Sequence, residues 1–496
     1  MIFTILYSIF WFLLLSIPVR YARAFRIPDL SPWFLSAGFL LKFIAGFIFT
    51  FIYIQFYGRG EITGDAGLFM YESHLLQQVF FVSPEDYFSL LTGIGETSEM
   101  AMKYLSETRH WSAGNMSIVN DSKNVVRINS LLQFISLNNP LVHMVIFSFL
   151  ALIGIRDLTL TFQRFTRLKN KWLLCGLLLM PGLLFWGSSM LKEPLLILGL
   201  GVFLRAVLSP DWRLRKRLLR GSIGLLLLIG IKPYILLCML PAIAYFLLAK
   251  YVWKQHPLRS LLLLSGFAAL LVWAMPTTRD TATHYLARKQ FDFDNVGKGG
   301  LHVLTDSCFF YFPPADFSKL DIRVQDTVAE LKEPVQAYRL RFGSMDPVVP
   351  IYLKPDGTAW PIYYFDYACD SYIQTTPIRS SFTQLLRNIP EALINALLRP
   401  FPNDPGSWFK YPVMLESWGI LALFLFAVFS HRKTTLTQKK LLIAIGIFTF
   451  CLLLLIGWTT PVIGAIARYR LPAYVGLFLI SIILIPFPQS WNKTDP

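Results

Sequence analysis

Two sets of side chains in this sequence have the types that phosphate-linked chemistry needs. The first is acidic. Asp65, Glu72 and the neighbouring His74 fall within Gly64–Leu76, the first strongly polar stretch after a long apolar run, with Glu61 just ahead of it. A carboxylate held beside an acceptor hydroxyl can serve as general base in glycosyl or acyl transfer. Asp65 and Glu72 are seven apart, so a helix starting near residue 64 would carry both on one face. Asp65 is also simply the kind of residue a helix dipole favours in its first turn. The second set is cationic: Lys192, Lys232, Arg399, Arg468 and Arg470, each at or near the end of an apolar segment. Arginine matches phosphate through its bidentate fork, and such cations can hold the charge that develops on a phosphate leaving group. His74 has no second metal-type partner nearby. No cofactor is expected, and a divalent metal is the less favoured option.

The elements that must position these groups are membrane helices. Of 496 residues, 54% are hydrophobic and only 15% charged, against about 25% charged in a typical soluble protein. Apolar runs of the length that spans a bilayer, ~20 helical residues, recur at about 2–19, 34–57, 140–160, 172–190, 194–209, 218–231, 234–252, 260–276, 411–430, 441–459 and 471–487. The net charge of +16 does not indicate nucleic acid, because the basic residues sit in short clusters between apolar runs, as the positive-inside rule requires. Arg20, Arg23 and Arg26 after the first run hold that end in the cytoplasm. The expectation is an all-α integral membrane bundle of eleven spans, N-terminus out and C-terminus in. The count depends on a break at Lys232-Pro233: one kinked helix there would invert everything downstream.

The layout then reads 1–57, first two spans; 58–137, first exoplasmic loop; 138–276, spans three to eight; 277–410, second exoplasmic loop; 411–496, last three spans and tail. In the first loop, Leu68, Tyr71, Leu75/Leu76 and Val79 recur at helical spacing after Thr63, a suitable N-cap, predicting an amphipathic helix along the membrane surface. A similar stripe at 382–398 is predicted to split into two short helices at Pro390. Residues 277–377, with brief β-type runs at Val348-Val349 and Ile362–Phe365, read as a small irregular insert. Cys308 and Cys369 share the second loop and would pair if that side is oxidising and they meet in space. Asn115-Met116-Ser117 and Asn120-Asp121-Ser122 are sequons of the kind that arise often by chance.

Three motifs resemble the polytopic membrane glycosyltransferases of the GT-C superfamily. Gly64-Asp65-Ala66 followed by Tyr71 resembles the catalytic acid motif of the first large outer loop. Phe185-Trp186-Gly187-Ser188-Ser189-Met190-Leu191-Lys192-Glu193 resembles a short-turn motif of bacterial members. Arg468-Tyr469-Arg470-Leu471-Pro472 resembles their Arg-Tyr-x-x-Pro element. The resemblance implies Asp65 as the catalytic acid residue and Lys192, Arg468 and Arg470 as holders of the lipid phosphate. Many members pair two acids at the first site. Asp65-Ala66 departs from this and implies metal-free inverting transfer.

The expected protein is thus an inner-membrane glycosyltransferase of a bacterium, working at the periplasmic face. Its partners would be a polyprenyl-phosphate-linked sugar donor, a glycan, lipid or protein acceptor, and membrane lipids. A polysaccharide polymerase using lipid-diphosphate-linked repeats shares the same features. A lipid-linked sugar transporter would need charges through the membrane depth and often repeats, which are not evident.

Overall fold

The computed structural model describes residues 2–58, 60–111, 120–209, 212–305, 308–323, 327–341 and 348–491. The sequon at Asn115 lies outside the described residues. The chain forms two compact units, one of Met1–Leu240, Leu423–Leu442 and Val475–Pro496, the other of Pro241–Ala422 and Ile443–Tyr474.

The first unit opens with α1 (Ile2–Tyr21) and α2 (Pro32–Gln55), then a cap of shorter helices: α3 (Gly64–Val82), α4 (Pro84–Thr92), α5 (Ser98–Leu105) and α6 (Asp121–Ser136). Local signals set these boundaries. Ser83 caps α4 through the Asp86 N–H with Pro84 in the first turn, and Gly93 ends it in left-handed backbone. Asn120 caps α6 by accepting from the N–H groups of Ser122 and Lys123, so the second sequon's side chain is engaged in a helix cap. Asn139 caps α7 (Pro140–Phe162) in the same way. Next come α8 (Asn170–Leu179), α9 (Pro181–Phe185), α10 (Lys192–Leu208), α11 (Leu214–Ile231) and α12 (Pro233–Leu247). The break at Lys232-Pro233 is present: Lys232 leaves helical backbone at φ −151°. Helices α7 and α10 approach backbone to backbone. A Cβ on Gly154 would collide with the Ile197 carbonyl, and one on Gly201 with the Gly154 carbonyl. Such small-residue contacts are how apolar helices pack closely in a bilayer.

In the second unit, α13 (Pro257–Ala274) leads to the polar helix α14 (Pro276–Lys298). The chain beyond α14 is not irregular. Strands β1 (Gly300–Leu304), β2 (Cys308–Phe312), β3 (Leu320–Arg323), β4 (Val328–Leu331), β5 (Val335–Arg341), β6 (Val349–Leu353) and β7 (Ala359–Asp366) form one sheet in the order β3-β4-β7-β1-β2-β5-β6. Every pairing is antiparallel. Leu301, Val303, Phe312, Ala329, Leu331 and Val335 build its core. His302, one residue out of phase, stacks on Tyr364 at 4.1 Å, and Phe291 of α14 meets Tyr311 and Tyr338. The insert is therefore a β-sheet with a helix packed on it, and the chain is mostly but not wholly α. Then come α15 (Phe382–Arg387), α16 (Ile389–Leu393) with a π-turn at Ile394–Leu398, α17 (Lys410–Phe429), α18 (Leu436–Thr459), α19 (Ile463–Tyr469) and α20 (Leu471–Leu484), of which Leu423–Leu442 and the residues from Val475 onward belong to the first unit. The predicted division at Pro390 is observed.

Among the described residues, seven helices are long and apolar enough to cross a membrane. The bent pairs α8 with the Pro181–Ser188 segment (75°) and α19/α20 (52°) bring the number to nine. Leu13, Leu40, Leu262, Phe267, Leu415 and Phe426 lie exposed on these helices, where a lipid environment would cover them. Of the eleven expected segments, α10 has only 17 residues, and α11 carries Arg215, Lys216, Arg217 and Arg220 in its first half.

Candidate functional site

Helix α3 starts directly after the α2 span, and Asp65 sits exposed in its first turn. Thr63 occupies the N-cap position with extended backbone, but its side chain makes no capping bond. The tight entry is held by backbone instead. Gly64 has φ +63°, and a Cβ on Gly67 would strike the Ile62 carbonyl. Asp65 thus takes up the dipole-favoured first-turn position while remaining open to solvent.

Glu72 lies on the same helix seven residues after Asp65, as the spacing requires, but the two differ in burial. It is fully buried, because residues 106–111 fold over its turn of the helix. Its Oε1 accepts the Arg109 N–H at 2.7 Å and the His110 N–H at 3.3 Å, and its Oε2 lies 2.6 Å from His110 Nδ1. Glu72 is a structural bolt, not a solvent-facing base beside Asp65. His74 is half-buried. Tyr71, expected in the acidic motif, is exposed and donates to Glu107 at 3.0 Å. That bond is the main cause of its raised pKa.

Behind Glu72 lies a charge cluster that sequence reasoning missed. Glu96 bonds Lys123 at 2.8 Å and Arg127 at 2.6 Å. Arg127 also donates to the Leu90 carbonyl at 2.8 Å. Both cations lie against the fully buried Trp111 ring, at 4.9 and 5.8 Å. Burial lowers the Lys123 pKa, and Glu96 opposes that shift. The available signal was Lys123 and Arg127 at i and i+4: like charges stacked on one helix face repel unless a carboxylate serves both.

The cations of the first unit fall in two places. Lys192, at the start of α10, bonds Asp121 at 2.7 Å and Ser122 at 2.9 Å, and its ammonium lies 5.9 Å from the Phe69 ring. Phe69 is the i+4 neighbour of Asp65 on α3, so Lys192 is brought to the helix that carries Asp65. Lys232 is buried and bonds Glu193 at 2.9 Å, with both side chains 2% exposed or less. Glu193, the residue next to Lys192 in sequence, thus serves Lys232. Lys232 ends α11 as half of a buried ion pair, which departs from the expected open phosphate ligand.

A further missed residue is Lys42, fully buried in α2. Its amine reaches toward the Leu183 carbonyl at 3.5 Å, and a Cβ on Gly187 would stand 3.2 Å from it. Leu183 lies in the last turn of α9, which ends at Phe185, and the last carbonyls of a helix have no intrahelical partner and are open to such a donor. The Phe185–Glu193 motif therefore lies against a buried cation. A lone lysine inside an apolar run was the signal.

In the second unit, Arg470 is 1% exposed. It donates to the carbonyls of Ala396 (3.1 Å) and Arg399 (2.6 Å) and to Ser417 Oγ (2.6 Å), and it lies over the Tyr474 ring. One terminal nitrogen therefore ties down the end of the π-turn of residues 394–398, and the other ties it to Ser417 of α17. Arg399 pairs with Asp404. Arg468 lies 5.9 Å from the Tyr469 ring. Cys308 and Cys369 are both free thiols, contrary to the pairing considered. Cys308 contacts Thr305, and Cys369 the Val296 carbonyl. Among the described residues, no group of three His, Cys, Asp or Glu side chains is arranged to hold a metal ion.

No protein-family model, curated protein or solved structure matches this chain.

Proposed function

We propose that the chain is an integral membrane glycosyltransferase of GT-C type, transferring a sugar from a polyprenyl-phosphate-linked donor to an acceptor hydroxyl with inversion and without a metal. Asp65 removes the acceptor proton as the new bond forms at the anomeric carbon. The bond from that carbon to the donor phosphate breaks, and the lipid phosphate leaves with the electron pair. Lys192 is the cation assigned to that phosphate. In this proposal α10 and α11 also cross the membrane, giving eleven spans with the N-terminus out, in a bacterial inner membrane, with Asp65 on the periplasmic side. The acceptor is a glycan, a lipid or a protein.

One observation carries most of the support: an exposed carboxylate opens the helix that follows the second span, and the Lys192 ammonium packs on Phe69 of that same helix. A positioned general base contributes about 10²–10⁴-fold. Cells lacking the chain, complemented with wild type or Asp65→Asn, would be compared by mass spectrometry of their envelope glycans. Wild type restores a sugar; Asp65→Asn, at equal protein level, does not. Full restoration by Asp65→Asn overturns the proposal. Accumulation of single lipid-linked repeat units in the deletion would assign polymerisation instead.

A further inference from the structure

A cavity of about 370 Å³ lies wholly within the second unit, between α14 and the segment 375–380 that precedes α15. Its volume is at the small end of the range for ligand pockets, about 300–1,000 Å³. His284, Arg288, Phe291 and Asp294 line it from the helix, Arg379 and Ser380 from the loop.

The loop wall is fixed in place. Gln290 grips it with both ends of its amide, donating to the Thr376 carbonyl at 3.1 Å and accepting the Ile378 N–H at 2.8 Å. Asn388 also donates to the Thr376 carbonyl, and Glu391 accepts the Thr376 N–H. Immediately after this clamp, Arg379 and Ser380 adopt left-handed backbone in succession, at φ 51° and 53°. Non-glycine residues rarely hold that conformation, and it recurs at ligand clamps.

The charges are unevenly satisfied. Asp294 is engaged by Lys298 at 2.6 Å and by the Tyr372 hydroxyl at 2.7 Å. Arg288 is buried and bonds Asp292 at 2.9 Å. Arg379 is exposed and forms no ion pair among the described residues. His284 Nδ1 is buried without a hydrogen-bond partner. An exposed guanidinium without an ion pair and a buried, unpartnered imidazole nitrogen line one small cavity beside Phe291, a set suited to an oxyanion attached to a compact body.

We propose that this cavity binds a small ligand carrying a carboxylate or phosphate oxyanion, held by Arg379, with His284 and Arg288 behind it and the body of the ligand against Phe291. The site is independent of the role assigned to Asp65.

The test is isothermal titration of the full-length protein in detergent with inorganic phosphate, glucuronate and, as a neutral control, glucose. Phosphate or glucuronate binds, and whichever binds identifies the anion as a phosphate or a sugar carboxylate; glucose does not bind. Arg379→Gln weakens the anion at least tenfold. Arg379 is exposed, so the variant keeps the wild-type thermal midpoint. Arg387→Gln, which removes an exposed cation outside the cavity, leaves affinity unchanged. Binding of neither anion overturns the proposal. So does equal affinity in Arg379→Gln, or an equal loss in Arg387→Gln, which would mark diffuse surface attraction.

Discussion

His110 Nδ1 lies 2.6 Å from Oε2 of Glu72, and that carboxylate is fully buried. The contact joins α3 to the segment after α5 and seals the turn of α3 that follows Asp65. Glu72→Ala strands two backbone N–H groups and the imidazole, which costs about 3 kcal/mol by the scale of broken buried pairs. Glu72→Gln keeps an acceptor and costs about half as much. Thermal unfolding in detergent should therefore rank wild type above Glu72→Gln and Glu72→Ala last. Glu72→Gln that reaches the membrane should retain glycan transfer. Loss of transfer at a wild-type midpoint would restore Glu72 as a catalytic residue.

The Lys232–Glu193 pair makes a different prediction. Removing either partner alone, as Lys232→Met or Glu193→Leu, leaves one buried charge and should cost about 3–5 kcal/mol. The double variant replaces both with apolar groups and should recover most of that loss. A double-mutant cycle on the thermal midpoint reads the coupling. Simple additivity of the two single losses would show that the pair is not the stabilising unit.

Alkaline pH probes the sheet. Burial first, and the nearby Asp294 second, raise the pKa of both Tyr311 and Tyr372 above the ordinary tyrosine value of 10.0. The folded state therefore keeps protons that the unfolded state releases above pH 10. This stabilisation is complete below pH 10 and falls as pH rises from there toward the folded-state values. The thermal midpoint should drop more steeply above pH 10 for wild type than for Tyr372→Phe, with tyrosinate absorbance tracking the release.

Gly154 and Gly201 set the spacing of α7 and α10. Gly154→Ala pushes a methyl group into the Ile197 carbonyl, and overpacking of this kind costs about 1–3 kcal/mol. Gly446 of α18 has nothing within 4 Å of its would-be Cβ, so Gly446→Ala should leave the midpoint unchanged or raise it. Equal behaviour of the two variants would remove the close approach as a determinant of packing.

The membrane helices were legible because a bilayer imposes one length and one composition, and the break at Lys232-Pro233 followed from charge placement. The sheet was not. Strand β2, Cys-Phe-Phe-Tyr-Phe, is apolar on both faces because α14 covers one side, so no alternation marks it. Pairings such as Gly300 with Asp366 join residues far apart in sequence. Helix α3 was legible, with Asp65 at its start. The fate of Glu72 was not, since the covering residues 106–111 come from beyond two further helices. Nor were the partners of Lys192 and Lys232, which lie 71 and 39 residues away in sequence.

Strand β7 lies between β4 and β1 and is the last of the seven in the chain. During translation, β3-β4 and β1-β2-β5-β6 therefore emerge as two separate pieces, each with an unfilled edge where β7 belongs. At about 5–20 residues per second, the stretch from β1 to β7 takes several seconds to synthesise. For that interval the nascent chain carries two open sheet edges, and synthesis of residues 359–366 sets when they close.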